Sequence, residues 1–170
     1  YINPNSRLIL VGHSKGMSMY EEYLHGLTNY LKVKHVEFVG GVSQYILNAL
    51  YKCADLFISM SEHEGFCVPL LEAFYFGVPV IAFDSTAVGE TLGKAGVLVK
   101  EKNLEKISEL ANHIIVNSSL RKSIIIGQKK RLNKFSSKAL LARSPKPPFP
   151  TQPNASPMTL SAHRKSTFKC

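Results

Sequence analysis

Several things are scarce in this chain of 170 residues. It has no run of about 18 apolar residues, which excludes a membrane-spanning helix. The opening residues Tyr1-Ile2-Asn3-Pro4-Asn5 carry no basic-then-apolar pattern, so no signal peptide is expected there. Only three cysteines occur, Cys53, Cys67 and Cys170. Their odd number and their spacing suit neither a metal cage nor a disulfide framework, and a reducing cytoplasm is the plain expectation. No internal repeat is visible, which argues against a stacked-repeat architecture.

Acidic residues are scarce in one half only. The formal net charge is +9, but residues 1–100 hold seven Lys/Arg against nine Asp/Glu, a net of −2. Residues 101–170 hold fourteen against three, a net of +11. The excess charge could meet an anionic membrane or nucleic acid. A solvated helix face followed by a disordered end explains the same residues without either partner. Lys129, Lys130, Arg131 and Lys134 are the candidates for peripheral contact with anionic lipid; no specific nucleic-acid site is indicated.

An apolar content of 45% supports a real core. Leu8-Ile9-Leu10-Val11-Gly12 reads as a buried strand, followed by a polar loop and a helix with Met19, Tyr20, Tyr23, Leu24, Leu27 and Leu31 at helical spacing. Val36 to Gly41 is a strand and turn, and Ser43 an N-cap for a helix turning Ile46, Leu47, Leu50 and Ala54 inward. Further strands are expected at Leu56–Met60, Val80–Phe83 and Val97–Val99. Asn103 caps one late helix bearing Leu104, Ile107, Leu110, Ala111, Ile114 and Ile115, and Ser118 or Ser119 opens another towards Leu140. Strands alternating with helices predict an α/β fold with a Rossmann-like parallel sheet and helices on both faces. Ligands of such sheets bind in the loops beyond the carboxyl ends of the strands. From Ser144 periodicity ends, and six prolines in thirteen residues (145–157) exclude a helix or inner strand. Residues 144–170 are therefore read as a disordered tail and 1–143 as the folded part.

The stretch Ser61-Glu62-His63-Glu64-Gly65-Phe66-Cys67-Val68-Pro69-Leu70-Leu71-Glu72-Ala73 carries the chemistry. Pro69 suits the first turn of a helix, where a missing N–H costs nothing. Glu64 then stands on the loop before an apolar helix and Glu72 one turn inside it. Free N–H groups and the helix dipole favour an anion there. Two carboxylates beside an anion site make sense if they accept hydrogen bonds from hydroxyls next to a phosphate, which suggests a sugar nucleotide. The bland alternative makes Glu64 a loop charge and Glu72 a surface charge, His13 and His63 solvated histidines, and Cys67 a packing residue with no base to activate it.

Glu64-Gly65-Phe66-x-x-Pro69-x-x-Glu72-Ala73, followed by Gly77-x-Pro79-Val80-Ile81-Ala82, resembles the signature of family-four retaining glycosyltransferases of the GT-B fold. Leu8 to Gly12, Leu50-Tyr51-x-x-Ala54-Asp55 and Glu90-Thr91-Leu92-Gly93-x-Ala95-Gly96 support the resemblance, which runs from about Ser6 to Phe135. It implies one GT-B half-domain, the donor-binding one, lacking its first strand and helix. It implies Glu64 as the catalytic-site carboxylate against the donor sugar's hydroxyls and Glu72 as acceptor for ribose hydroxyls. Gly65, Phe66, Cys67 and Val68 supply backbone approach to the sugar and diphosphate, Gly65 because no side chain blocks it. Val42 resembles the segment lining the base pocket, and His13 and His63 share the rim.

The implied partner is a nucleoside-diphosphate sugar, with neither metal nor further cofactor, and an acceptor domain that this chain does not supply. The basic pair that grips the diphosphate in the family is not matched here, and Lys15 is not assigned that role. Where the family has proline before the glutamate matching Glu90, this chain has Gly89, which is expected to loosen the loop. The expected function is sugar transfer with retention at the anomeric carbon, as part of an incomplete transferase inactive alone. The alternative is an inactive nucleotide-sugar-binding or interaction module.

Overall fold

The computed structural model describes residues 6–12 and 18–136. The expected proline-rich tail, His13 and Lys15 lie outside them. The elements follow in strict alternation: β1 (Leu8–Val11), α1 (Ser18–Tyr30), β2 (Val36–Gly40), α2 (Gln44–Cys53), β3 (Phe57–Ser59), α3 (Val68–Phe76), β4 (Val80–Phe83), α4 (Val88–Leu92), β5 (Val97–Val99), α5 (Leu104–Val116) and α6 (Ser118–Ser136). Every strand pair is parallel: β1 with β2, β3 with β4, and β4 with β5. The α/β reading holds. The expected single sheet instead appears as two, ordered β1-β2 and β3-β4-β5. Among the described residues β1 and β3 share no ladder.

The core lies in the second sheet and its helices. Val80, Ile81 and Ala82 of β4 are all at 0% exposure. Neighbours along a strand face opposite ways, so both faces of this sheet are covered there. From α3, Leu70, Leu71, Ala73 and Phe74 pack into the same core with Val88, Leu92 and Ala95. Each buried large apolar side chain contributes on the order of 2 kcal/mol. Gly77 ends α3 in the left-handed region (φ 71°), its N–H donating to the carbonyls of Ala73 and Phe74. This turn leads α3 directly back into β4.

The first sheet is far more open. Leu8, Ile9 and Val11 are 40–51% exposed, and Met19, Tyr20 and Tyr23 of α1 are exposed rather than inward, with only Leu24 and Leu27 half-buried. In α2 the inward turn of Ile46 is likewise not found. Instead Tyr51 is the buried residue, with Leu47, Leu50 and Ala54 half-buried. Leu104 opens α5 in solvent, while Ile107 and Ile114 are buried. The expected caps are present: Ser43 Oγ accepts from the Ile46 N–H and Asn103 Oδ1 from the Lys106 N–H. The helix α6 begins at Ser118, as expected, and Asn117 Oδ1 accepts from the Leu120 N–H at its start.

Candidate functional site

β3 ends at Ser59 and hands the chain to the loop 60–67, which crosses the carboxyl ends of β3 and β4 before entering α3. The loop from Ser61 to Phe66 is held by side chains that come mainly from the segment after β4. Ser85 Oγ donates to the carbonyl of Ser61 (2.7 Å). Thr86 Oγ1 accepts from the Glu64 N–H (3.0 Å) and donates to the Glu64 carbonyl (2.8 Å), gripping both polar groups of one residue. Thr91, buried in α4, donates to the carbonyl of Phe66 (2.9 Å). Lys102 Nζ meets Glu62 Oε1 at 2.7 Å and sits 4.8 Å from the centre of the Phe83 ring. The pair holds the Glu62 carboxyl below its usual range, by the hydrogen bond first and the charge second. Backbone fastened in this way can present polar groups without reordering when a ligand arrives.

Two residues of the site adopt left-handed backbone at a cost. Cys67, the N-cap of α3, has φ 54° and ψ 62°, and Thr86 has φ 33°. Such conformations cost non-glycine residues about 1–2 kcal/mol each. Cys67 adopts it while its side chain is buried. Burial, then the charge of Glu64, pushes the thiol pKa up. A raised thiol is a poor nucleophile, so Cys67 packs, as the bland reading had it. The helix that follows carries Pro69, which has no N–H, in its first turn, and the Leu70 N–H donates to the carbonyl of the N-cap Cys67 (3.0 Å).

Of the sequence-identified residues, Glu64 to Cys67 lie on the loop, Val68 opens α3 and Glu72 stands one turn inside that helix. Glu64 is half-buried in the loop and Glu72 half-buried in α3. A Cβ on Gly65 would meet no protein atom within 4 Å, so the fold itself makes no demand for glycine there. Phe66 directs its ring away into an edge-on contact with Phe135 (5.7 Å, 84°), leaving its backbone at the loop. Val68 is 49% exposed at the helix entrance. Val42 is half-buried in the loop between β2 and Ser43, and His63 is exposed.

Gly89 lies inside α4, where a Cβ would come within 2.6 Å of Asp84 Oδ1, the movable end of that side chain. Arg131 departs from expectation. It is turned inward, donating to the carbonyls of Glu90 and Thr91 and lying 4.9 Å from the centre of the Phe135 ring. Lys129, Lys130 and Lys134 remain exposed. Sequence reasoning gave no role to Tyr51, Ser85, Thr86 or Thr91. Tyr51 and Thr91 lay within quoted motifs; Ser85 and Thr86 carried no signal beyond their place on the rim.

Comparison with known proteins decides the family. Residues 2–131 match the model of "Glycosyl transferases group 1". The chain belongs to this glycosyltransferase family. A glycosyltransferase of Methanocaldococcus jannaschii, itself uncharacterized, is 30% identical over 129 residues, covering 74% of this chain and 32% of that protein. The capsular polysaccharide biosynthesis glycosyltransferase CapM of Staphylococcus aureus is 29% identical over 143 residues, 80% of this chain and 36% of CapM. In fold, this group 1 chain is similar to Anabaena HepE, solved in complex with UDP-glucose. The TM-score is 0.70 at 23% identity, covering 78% of this chain and 37% of HepE. The chain spans about a third of the length of each of these proteins. Its elements match a Rossmann-like half-domain of the GT-B fold.

Proposed function

We propose that this chain is the donor-binding part of a retaining glycosyltransferase that uses a nucleoside-diphosphate sugar. The observation that carries the reading is the loop 61–67: two carboxylates flank a helix N-terminus on backbone pinned by Ser85, Thr86 and Thr91. Glu72 accepts hydrogen bonds from the ribose hydroxyls and Glu64 from hydroxyls of the donor sugar; carboxylates form the stronger, charge-assisted bonds. Backbone from Gly65 to Val68 approaches the sugar and diphosphate, with Val42 towards the base and His63 on the rim. No metal or further cofactor takes part.

The bond that breaks joins the anomeric carbon to the diphosphate oxygen, and the diphosphate leaves with the electron pair. Amides at the start of α3 face the developing negative charge, and Glu64 holds the sugar as its ring becomes oxocarbenium-like. An acceptor hydroxyl bonds to the same face of that carbon, and its proton goes to the departing phosphate. The acceptor is held by another domain, so the chain alone is inactive and acts in the cytoplasm as one half of a larger enzyme. The exposed Lys129, Lys130 and Lys134 favour peripheral contact with an anionic membrane.

Calorimetric titration of the chain with UDP, GDP and their sugar conjugates tests the reading. Binding of one of them, weakened at least ~10-fold in Glu72→Ala, is the expected result. No binding of any nucleotide would refute it. Binding without transfer once an acceptor domain is supplied would make the chain a nucleotide-sugar-binding module instead.

A further inference from the structure

Glu72 does not stand alone on α3. Its Oε2 accepts a hydrogen bond from the hydroxyl of Tyr51 at 3.1 Å, and the same hydroxyl lies 3.4 Å from the carbonyl of Pro69. Tyr51 comes from α2, another element, and its ring is held independently of the hydroxyl. It stacks on Phe76 (5.4 Å between centres, 7° between planes) and lies 6.0 Å from Phe57, with the residue 7% exposed. Among the described residues Glu72 Oε1 has no hydrogen-bond partner, yet it is not buried, so it opens to solvent. One oxygen is tied and the other is offered.

We infer that Tyr51 is a positioning residue that fixes the Glu72 carboxylate, so that Oε1 faces a vicinal diol and the site selects ribonucleotides over 2′-deoxyribonucleotides. This inference rests on the donor-binding reading above. A free glutamate on a helix samples several rotamers, and holding one before the ligand arrives spares that ordering cost on binding. The phenol suits the task because it is rigid and stays a donor. Burial, followed by the charge of Glu72, pushes its pKa upward, so it keeps its proton. Discrimination follows because a carboxylate oxygen built to accept a hydroxyl is left unpaired by a ligand lacking it.

The test is calorimetry on the full chain with UDP and GDP and their 2′-deoxy counterparts, for wild type, Tyr51→Phe, Glu72→Ala and the double variant. Wild type is expected to prefer the ribo form by ~10-fold or more, the loss of one charged hydrogen bond. Tyr51→Phe keeps the stacked ring; thermal melting confirms its fold. It should reduce the ribo preference ~3–10-fold, with a smaller loss for the deoxynucleotides, which keep only the 3′ hydroxyl. In Glu72→Ala the preference should vanish, and adding Tyr51→Phe should change nothing further. Equal loss of both nucleotide forms in Tyr51→Phe, or no change in either, overturns the positioning role while leaving donor binding intact. Nucleotide binding without a ribo preference in wild type overturns the inference through Glu72. Absence of all nucleotide binding overturns the donor reading itself.

Discussion

Replacing Thr91 by valine would expose how far the donor loop depends on the segment behind it. Thr91 is 2% exposed, and its hydroxyl donates to the Phe66 carbonyl at 2.9 Å. Valine keeps the branched shape but removes the donor, so a part-buried carbonyl loses its partner. A neutral hydrogen bond contributes about 0.5–1.5 kcal/mol net, and an unsatisfied buried acceptor raises the loss to about 1–3 kcal/mol. The extra methyl regains up to ~0.8 kcal/mol where it packs. A net destabilisation of about 1–2 kcal/mol is expected, equivalent to a drop of roughly 3–10 °C in Tm for a domain of this size. Differential scanning calorimetry reads it directly. Because the carbonyl belongs to the loop carrying Glu64 and Gly65, nucleotide affinity should fall as well. Thr91→Ser separates the two effects: it retains the donor and should keep the affinity while losing some stability through the missing methyl. A Tm for Thr91→Val within about 1 °C of wild type, below even the smallest loss expected for an unpaired acceptor, would refute the reasoning.

Arg131→Ala should destabilise by about 1–3 kcal/mol in urea denaturation, since two carbonyls of α4 lose charged donors and Phe135 loses its cation. Gly96→Ala should cost a similar ~1–3 kcal/mol in the same assay, because its Cβ would sit 2.8 Å from Leu92 Cδ1 and 3.0 Å from the Val80 carbonyl oxygen. The Tyr51 phenol has a pKa raised above its unfolded value of about 10. Its contribution to stability is therefore complete below pH ~10 and is lost as pH rises further, a decline that Tyr51→Phe should flatten in alkaline denaturation curves. Neutralising Lys129, Lys130 and Lys134 together should abolish any sedimentation with anionic vesicles. Binding that persists in high salt would exclude the electrostatic contact.

The limits of one-dimensional reading show at particular residues. Pro69 three residues before Glu72, Gly77 before Val78-Pro79 and Asn103 before an apolar helix are local signals. They act through backbone geometry and short-range hydrogen bonds, and the structure has α3, the turn into β4 and the α5 cap where those signals put them. Tyr51, by contrast, stood in a motif with no role of its own. Its partner Glu72 is 21 positions away, and only the packing of α2 on α3 brings the hydroxyl to the carboxylate. Thr86 and Glu64 are 22 positions apart and meet because parallel β3 and β4 bring their following loops side by side. Arg131 read as one of four cations on a basic helix until the packing of α6 turned it towards the carbonyls of α4. Periodicity also misjudged Met19, Tyr20 and Ile46. It reports which face of a helix is apolar, not whether anything covers that face.

The sequence by itself determined the alternation of strands and helices, the parallel pairing and the family. It also determined the position of the loop from Ser61 to Val68 with Glu64 and Glu72 at its ends, because these follow from local patterns and from motif residues standing in order. Only the tertiary structure decided which side chains hold that loop, that Glu72 offers one oxygen while Tyr51 holds the other, and that the strands of the described residues pair in two groups. Those outcomes depend on contacts between residues far apart in the chain, which the fold creates and no local pattern encodes.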